Sequence, residues 1–174
     1  MTKEVDTMNK IEVRPIREEE LDALCEAEGD KSEENIRYYQ RYLTWQKEGA
    51  CTFLIALLNS EIAGYVFVLH QDRWGSMAGA RQPGLADLQV FPWNRRCGVG
   101  NALLEKAEEI ASQYGNTLHL DVHITAHAGQ ALRLYFRRGY QPDGRGVYHK
   151  YKQYDSVLGK VDPEDLTLLL IKAL

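Results

Sequence analysis

Apolar and polar residues follow one another in the first part of the chain in a pattern that predicts a strand, two helices and a hairpin. The segment IEVRPI at 11–16 alternates and predicts a short half-buried strand. An acidic stretch from Glu18 opens a helix, and helical spacing continues in a second helix at Glu33–Lys47. Two apolar runs, Cys51–Leu58 and 62–70, are joined by a short polar turn and predict a β-hairpin.

The second part of the chain alternates between strands and helices. In chain order, its pattern predicts a loop at 73–84, a strand at 85–90, a helix at 98–114, a strand at Thr117–His123, a helix at 128–138 and an apolar strand at 166–171. Gly139 follows the second of these helices in the manner of a C-cap. This element order predicts an α/β fold in which helices cover the faces of a mixed sheet.

Length, composition and charge narrow the class of protein. With 174 residues, 44% hydrophobic and 26% charged, we expect a single globular domain at 1–174, with residues 1–10 disordered. The net charge of -4 argues against a nucleic-acid partner, and the apolar runs are too short for a membrane span. Three widely spaced cysteines without zinc spacing and a polar N-terminus predict reduced thiols in a cytoplasmic protein.

The segment LADLQVFPWNRRCGVGNALL carries the sharpest chemical signal. An apolar strand runs through Pro92 into Arg95 and Arg96, and a helix follows Gly98 and Gly100. Glycines allow close backbone approach, a helix start offers unpaired N–H donors, and the arginines add positive charge, so this turn predicts an anion site. It lacks the Gly-Lys-Ser/Thr ending of a P-loop and the third glycine of a dinucleotide fingerprint.

This turn resembles the signature of the GNAT superfamily of N-acetyltransferases, (Gln/Arg)-x-x-Gly-x-(Gly/Ala) entering a helix after a strand. Arg95, Gly98 and Gly100 match it, with Leu88, Val90 and Pro92 in the expected context upstream. A second block, ALRLYFRRGY, resembles the family's A-x-x-L-Y-x-x-x-G-(Phe/Tyr) element through Ala131, Leu134, Tyr135, Gly139 and Tyr140. The resemblance covers residues 11–174, although the first 80 are similar only in element order.

The resemblance implies a GNAT-type mixed, mostly antiparallel sheet flanked by helices on both faces. It implies acetyl-CoA as acyl donor, no metal, and direct transfer of acetyl to a primary amine of a small molecule or peptide. The residues expected to bind the cofactor are Leu88, Val90, Arg95, Arg96, Cys97, Gly98, Val99, Gly100 and Asn101.

The resemblance also implies catalytic roles. The backbone N–H of Val90 is expected to polarise the thioester carbonyl, and Tyr135 is expected to protonate the leaving thiolate. Because an aliphatic amine is protonated near neutrality, a base or a water chain has to take a proton from it, and Asp87 is the candidate base. Ala128 stands where the family often has an asparagine that contacts the cofactor, which puts contacts from that loop in doubt.

For each of these residues a purely structural role is the alternative to the functional one. The Arg95–Gly100 turn could be an ordinary capped strand-to-helix turn, Tyr135 a packed aromatic, and Asp87 a solvent-facing strand residue. Four aromatic residues could line the acceptor pocket or belong to the core: Tyr38, Tyr42, Trp45 and Trp74.

Other polar residues, and the assembly state, are left open. His119, Asp121 and His123 could bind a metal or supply a base, and Cys97 could be a reactive thiol. The last strand is expected to pair at a sheet edge, and the resemblance leaves a homodimer open. A non-catalytic acyl-CoA-binding module is the rival function, and a redox or nucleotide enzyme is a third.

Overall fold

One mixed sheet organises the chain in a computed structural model, which describes residues 10–72, 75–155 and 161–174. Within these residues eight strands lie in the order β1-β2-β3-β4-β5-β8-β6-β7, and every neighbouring pair except β4 and β5 is antiparallel. The strands are β1 (Ile11–Pro15), β2 (Cys51–Leu58), β3 (Glu61–Leu69), β4 (Gly84–Val90), β5 (Thr117–His123), β6 (Gln141–His149), β7 (Lys152–Gln153) and β8 (Leu166–Ala173).

Helices cover both faces of this sheet. They are α1 (Leu21–Glu28), α2 (Glu33–Lys47), α3 (Val99–Ala111) and α4 (Gly129–Arg137). On one face Tyr39 and Leu43 of α2 pack with α1 against Phe53 and Phe67 of the sheet. The other face carries α3 and α4, whose apolar side chains join those of the sheet in a second core. The predicted α/β fold with a mixed, mostly antiparallel sheet and helices on both faces is confirmed.

Local sequence explains where α2 begins and where α1 ends. The hydroxyl of Ser32 accepts a hydrogen bond from the Asn35 N–H at 3.2 Å and caps the first turn of α2. Tyr39 and Leu43, one turn apart, are both buried, so burial of one apolar stripe holds the helix on the sheet. α1 ends at Gly29, whose φ of 86° is the left-handed conformation that a helix C-terminus favours.

An opening in the sheet separates β4 from β5. These parallel strands pair only at Gly84 opposite His119, so the hydrogen-bonded ladder between them is open from there towards Val90. We call this opening the strand gap. On its other edge β4 has a bulge, because Tyr65 pairs with Gln89 while Phe67 pairs with Ala86.

The loop before β4 is fixed to β5 at the closed end of the strand gap. Asp72 contacts His119 through its Oδ2 atom, 2.8 Å from Nε2, and both side chains are buried. The carboxylate of Asp121 accepts hydrogen bonds from the Ser76 N–H, at 3.0 Å, and from the Ser76 hydroxyl. These contacts fix the closed end of the strand gap, since polar pairs that are buried or half-buried are costly to break.

The structure corrects the predictions at the C-terminal side of the sheet. The pattern missed β6, because QPDGRGVYH contains two glycines with φ of 81° and 87° and no clear alternation, and it missed β7, which has only two residues. The expectation that the last strand pairs at an edge is wrong, since β8 lies between β5 and β6 with partners on both sides. Of the disorder predicted at 1–10, residues 1–9 lie outside the described residues, while the backbone of Lys10 is hydrogen-bonded to Asn59. The interpretation of Trp74 also lies outside the described residues. The single domain at 1–174 stays a prediction.

Candidate functional site

The turn into α3 presents a set of backbone donors. Gly98 is the N-cap of α3 with φ of 90°, and Arg96 before it has φ of 64°. The Ala102 N–H donates to the Gly98 carbonyl at 3.1 Å as the first bond of the helix. The N–H groups of Val99, Gly100 and Asn101 precede that bond and have no acceptor inside the helix. This end of α3 is therefore an anion-binding helix start.

Close packing holds this turn against the open edge of β4. A Cβ added at Gly100 would lie 3.0 Å from Leu134 Cδ2 and 3.5 Å from Val90 Cγ2, so the first turn of α3 contacts both α4 and β4. Arg95 donates from Nε to the Val90 carbonyl at 3.1 Å, and Cys97 donates from Sγ to the Arg95 carbonyl at 3.5 Å. Arg95 thus fixes the end of β4, while its charge remains near the helix start.

The amide of Val90 is directed into the strand gap. Gly64 of β3 pairs with Val90, and the Phe91 N–H donates to the Ala63 carbonyl at 3.0 Å. That bond makes Gly64 and Val90 a non-hydrogen-bonded pair, in which the backbone groups of both residues point away from each other. The Val90 N–H therefore points to the side of β5, where none of the described strands pairs with it.

The bulge in β4 turns Asp87 towards α2. Asp87 has φ of 45°, and its carboxylate accepts a hydrogen bond from the hydroxyl of Tyr38. The side chain is accessible to solvent, but surrounding protein raises the pKa of its carboxyl through desolvation. The nearby His123 lowers the pKa of Asp87 and Glu28 raises it. Asp87 therefore lies in a cleft shared by α1, α2 and β5, and its side chain is not simply a solvent-facing one.

Tyr135 lies in α4 with only 5% of its surface exposed. Burial raises the pKa of its hydroxyl well above the usual range, and the negative charge of Asp87 raises it further by a smaller amount. The ring contacts Tyr140 edge to face, with centroids 5.6 Å apart. The hydroxyl therefore stays protonated near neutrality and can donate a proton. Tyr135 also lies close enough to Asp87 for the carboxylate charge to affect its ionisation.

Sequence reasoning missed the role of Glu28 at this site. It lies on the sheet-facing side of α1 and accepts hydrogen bonds from Tyr39 at 2.6 Å, Asn35 at 2.8 Å and Tyr65 at 3.4 Å. A carboxylate within the apolar stripe of α1 was the available signal, because a charge is rarely buried there without partners. Glu28 contributes a second negative charge near Asp87.

Each of the two histidines of β5 is hydrogen-bonded to a residue of a neighbouring segment. Since Leu118, Leu120 and Val122 join the α3 side of the core, His119, Asp121 and His123 alternate onto the face that carries α1 and α2. His119 is engaged by Asp72, and His123 Nδ1 lies 2.8 Å from the Glu164 carbonyl oxygen. Among the described residues no group of three or more histidine, cysteine or acidic side chains is arranged to hold a metal ion.

A helix start with three unpaired N–H groups beside an opened sheet is typical of α/β proteins that bind phosphate-containing ligands. Within that class, the model of the acetyltransferase (GNAT) family matches residues 14–140, so the chain belongs to this family. Acetyl transfer from acetyl-CoA is the family's general activity. None of the helices in the described part of the chain is long and apolar enough to span a membrane.

Solved structures with low sequence identity share the fold. The PaiA N-acetyltransferase from Thermoplasma acidophilum, in complex with coenzyme A, has 19% identity and a TM-score of 0.63, covering 95% of this chain and 99% of that one. The ribosomal-protein-S18-alanine N-acetyltransferase from Escherichia coli has 16% identity and a TM-score of 0.66, covering 94% of each chain. The yncA protein from Salmonella typhimurium, with its cofactor acetyl-CoA, has 16% identity and a TM-score of 0.66 over 94% of this chain and 93% of that one. No curated protein matches the sequence.

Proposed function

We propose that this protein is an acetyl-CoA-dependent N-acetyltransferase that transfers acetyl directly to a primary amine of a small molecule or peptide. One observation carries the proposal: the helix start of α3 packs against Val90 at the edge of β4 that borders the strand gap. The Val90 amide is directed to the same side, and Tyr135 of the neighbouring α4 lies close enough to Asp87 to feel its charge. A phosphate grip, an oxyanion donor and a proton donor are the groups that thioester aminolysis needs.

The donor would be held mainly by backbone groups. The N–H groups of Val99, Gly100 and Asn101 would bind the pyrophosphate, together with the turn residues Arg96, Cys97 and Gly98. Arg95 would act through its charge and through its bond to the Val90 carbonyl. The exposed strand edge from Leu88 to Val90 would pair with the amides of the pantetheine arm, because the strand gap leaves that edge without a neighbour.

The reaction would use three groups of the chain. The Val90 N–H would polarise the thioester carbonyl as the amine nitrogen forms its bond to the carbonyl carbon. Asp87, directly or through water, would take the proton that the amine loses. Tyr135, whose hydroxyl is protonated at neutral pH, would give its proton to the sulfur as the C–S bond breaks.

The acceptor, the assembly and the compartment belong to the same proposal. The cleft near Asp87 contains carboxylates and tyrosines, which supports an amine acceptor. Three free cysteines, of which two are buried, support a reducing, cytoplasmic setting. A homodimer remains open, and we propose no nucleic-acid, membrane or metal partner.

A comparison of ligands by thermal unfolding tests the donor site. Coenzyme A at 100 times its dissociation constant stabilises a binding protein by about 2.7 kcal/mol, which is a readily measured rise in Tm. We expect stabilisation by coenzyme A and not by NAD or ATP at equal concentration. Stabilisation by NAD or ATP alone would instead favour the redox or nucleotide enzyme. Stabilisation by coenzyme A without turnover on any amine would favour the non-catalytic module.

A further inference from the structure

The contact between Tyr38 and Asp87 joins two elements that the reaction would need together. Asp87 stands in the bulge of β4, three residues before Val90, while Tyr38 lies on α2. The residues are 49 positions apart, and the Tyr38 hydroxyl donates to the Asp87 Oδ2 atom. The side chain of the candidate base is therefore held from the helical side of the cleft.

The ring of Tyr38 is itself held firmly. It packs edge to face on Tyr39, Tyr42 and Phe67, with centroid distances of 5.5, 5.1 and 5.9 Å. The guanidinium of Arg41 lies 5.6 Å from the ring centroid. Because these contacts restrict the ring, the hydroxyl is presented to Asp87 with little rotational freedom left to lose.

Groups from every neighbouring element face the Asp87 carboxylate. Tyr38 of α2 contacts it directly, and four groups are near enough to interact with it electrostatically: Glu28 of α1, His123 of β5, Tyr135 of α4 and Tyr151 in the β6–β7 turn. Among the described residues, Tyr38 is the side chain that donates a hydrogen bond to this carboxylate. Desolvation and Glu28 favour the protonated form of Asp87, whereas His123 favours the charged form. A donated hydrogen bond also stabilises the charged form.

We propose that Tyr38 is a positioning residue for acetyl transfer: its hydroxyl holds the Asp87 carboxylate ionised and aimed into the acceptor cleft. The inference rests on the proposed function, in which Asp87 takes the amine's proton. Tyr38 makes no contact with the reacting atoms in this account and acts only through Asp87. This role places Tyr38 on the acceptor side of the site, as a residue that orients the base.

A titration that needs no acceptor tests the first half of this inference. The chain is labelled with aspartate carrying ¹³C in its carboxyl group, and the resonance of Asp87 is assigned by its loss in Asp87→Asn. In Tyr38→Phe we expect the pKa of Asp87 to rise by about one unit, because a hydrogen bond to the charged form is removed. Tyr114→Phe is the matched control, since Tyr114 stacks on His70 at 3.8 Å and belongs to neither face of the cleft.

Kinetics with any amine that the parent protein acetylates test the second half. Tyr38→Phe is expected to move the acidic limb of the pH profile of kcat/KM for the amine upward by about one pH unit, with an unchanged KM for acetyl-CoA. The loss of kcat/KM therefore approaches about tenfold at pH values below the pKa of Asp87 and disappears at higher pH. The variant Tyr38→Phe/Asp87→Asn is expected to be no slower than Asp87→Asn, because Tyr38 acts through Asp87.

An unchanged pKa of Asp87 in Tyr38→Phe would overturn the inference, as would losses in the two single variants that multiply in the double variant. A loss of activity that is equal at every pH would also overturn it. Absence of turnover by the parent protein on any amine would instead defeat the proposed function, and the titration would still report on the contact.

Discussion

Substitution of Gly98 by alanine separates the backbone requirement of the turn from its ligand-binding role. Gly98 has φ of 90°, and among the described residues an added Cβ would meet only Ile11 Cδ1, at the ordinary contact distance of 3.4 Å. The cost of Gly98→Ala is therefore backbone strain of about 1–2 kcal/mol. For a domain of this size, that lowers the Tm by about 2–8 °C.

The same substitution is expected to weaken coenzyme A binding. If the turn relaxes to relieve the strain of the added methyl group, the N–H groups of Val99 and Gly100 no longer point together at one anion. Loss of one hydrogen bond to a charged group costs about 1.5–3 kcal/mol, which corresponds to about a 10- to 100-fold weaker Kd. Isothermal titration with coenzyme A measures this loss directly.

Gly29→Ala provides the matched control. Gly29 has φ of 86° with no atom within 4 Å of an added Cβ, and it ends α1 on the opposite face of the sheet from α3. We expect the same loss of thermal stability with an unchanged Kd for coenzyme A. Equal Kd values for Gly98→Ala and Gly29→Ala would refute the assignment of the phosphate grip to this turn.

Two further predictions concern the proton donor and a half-buried cluster of charged side chains. Tyr135→Phe should lower kcat about 10²-fold with the Kd of coenzyme A unchanged, and an unaltered kcat would exclude Tyr135 as the acid. Glu108 accepts hydrogen bonds from Arg138 and Lys172, each at 2.7 Å. Burial raises the pKa of its carboxyl, but the two cations outweigh burial and the net effect is a lowered pKa. A lowered folded pKa contributes stability above the unfolded pKa of about 4.3 that is lost as pH falls further. Glu108→Gln should therefore be about 1–3 kcal/mol less stable at pH 7 in urea unfolding, with the difference narrowing below about pH 4; a constant difference would contradict this.

Strong local patterns predicted much of the fold. The bounds of α2 and β5 agree with the structure, because a capped amphipathic helix and a bounded apolar strand are specified by neighbouring residues. The glycine turn before α3 was also predictable, since Gly98 and Gly100 stand at a strand-to-helix step. These features depend on interactions within a few residues along the chain.

The parts that could not be predicted depend on contacts between distant segments. Nothing in LADLQV indicates the bulge that gives Asp87 a φ of 45°, because its cause is the register with β3. The hydrogen bond from Tyr38 to Asp87 requires α2 to lie over β4. The position of β8 between β5 and β6 is likewise a property of the assembled sheet, since an apolar run of residues does not specify its partners.

The central claim is that an amine accepts acetyl from acetyl-CoA at the strand gap beside Tyr135. The most direct measurement is thiol release from acetyl-CoA over a panel of small amines and peptides, with the acetylated amine identified by mass spectrometry. We predict release that requires both the amine and Tyr135, with one acetyl group gained by the amine for each thiol formed. Tight binding of coenzyme A without release on any amine, and with no difference between the parent and Tyr135→Phe, would contradict the account.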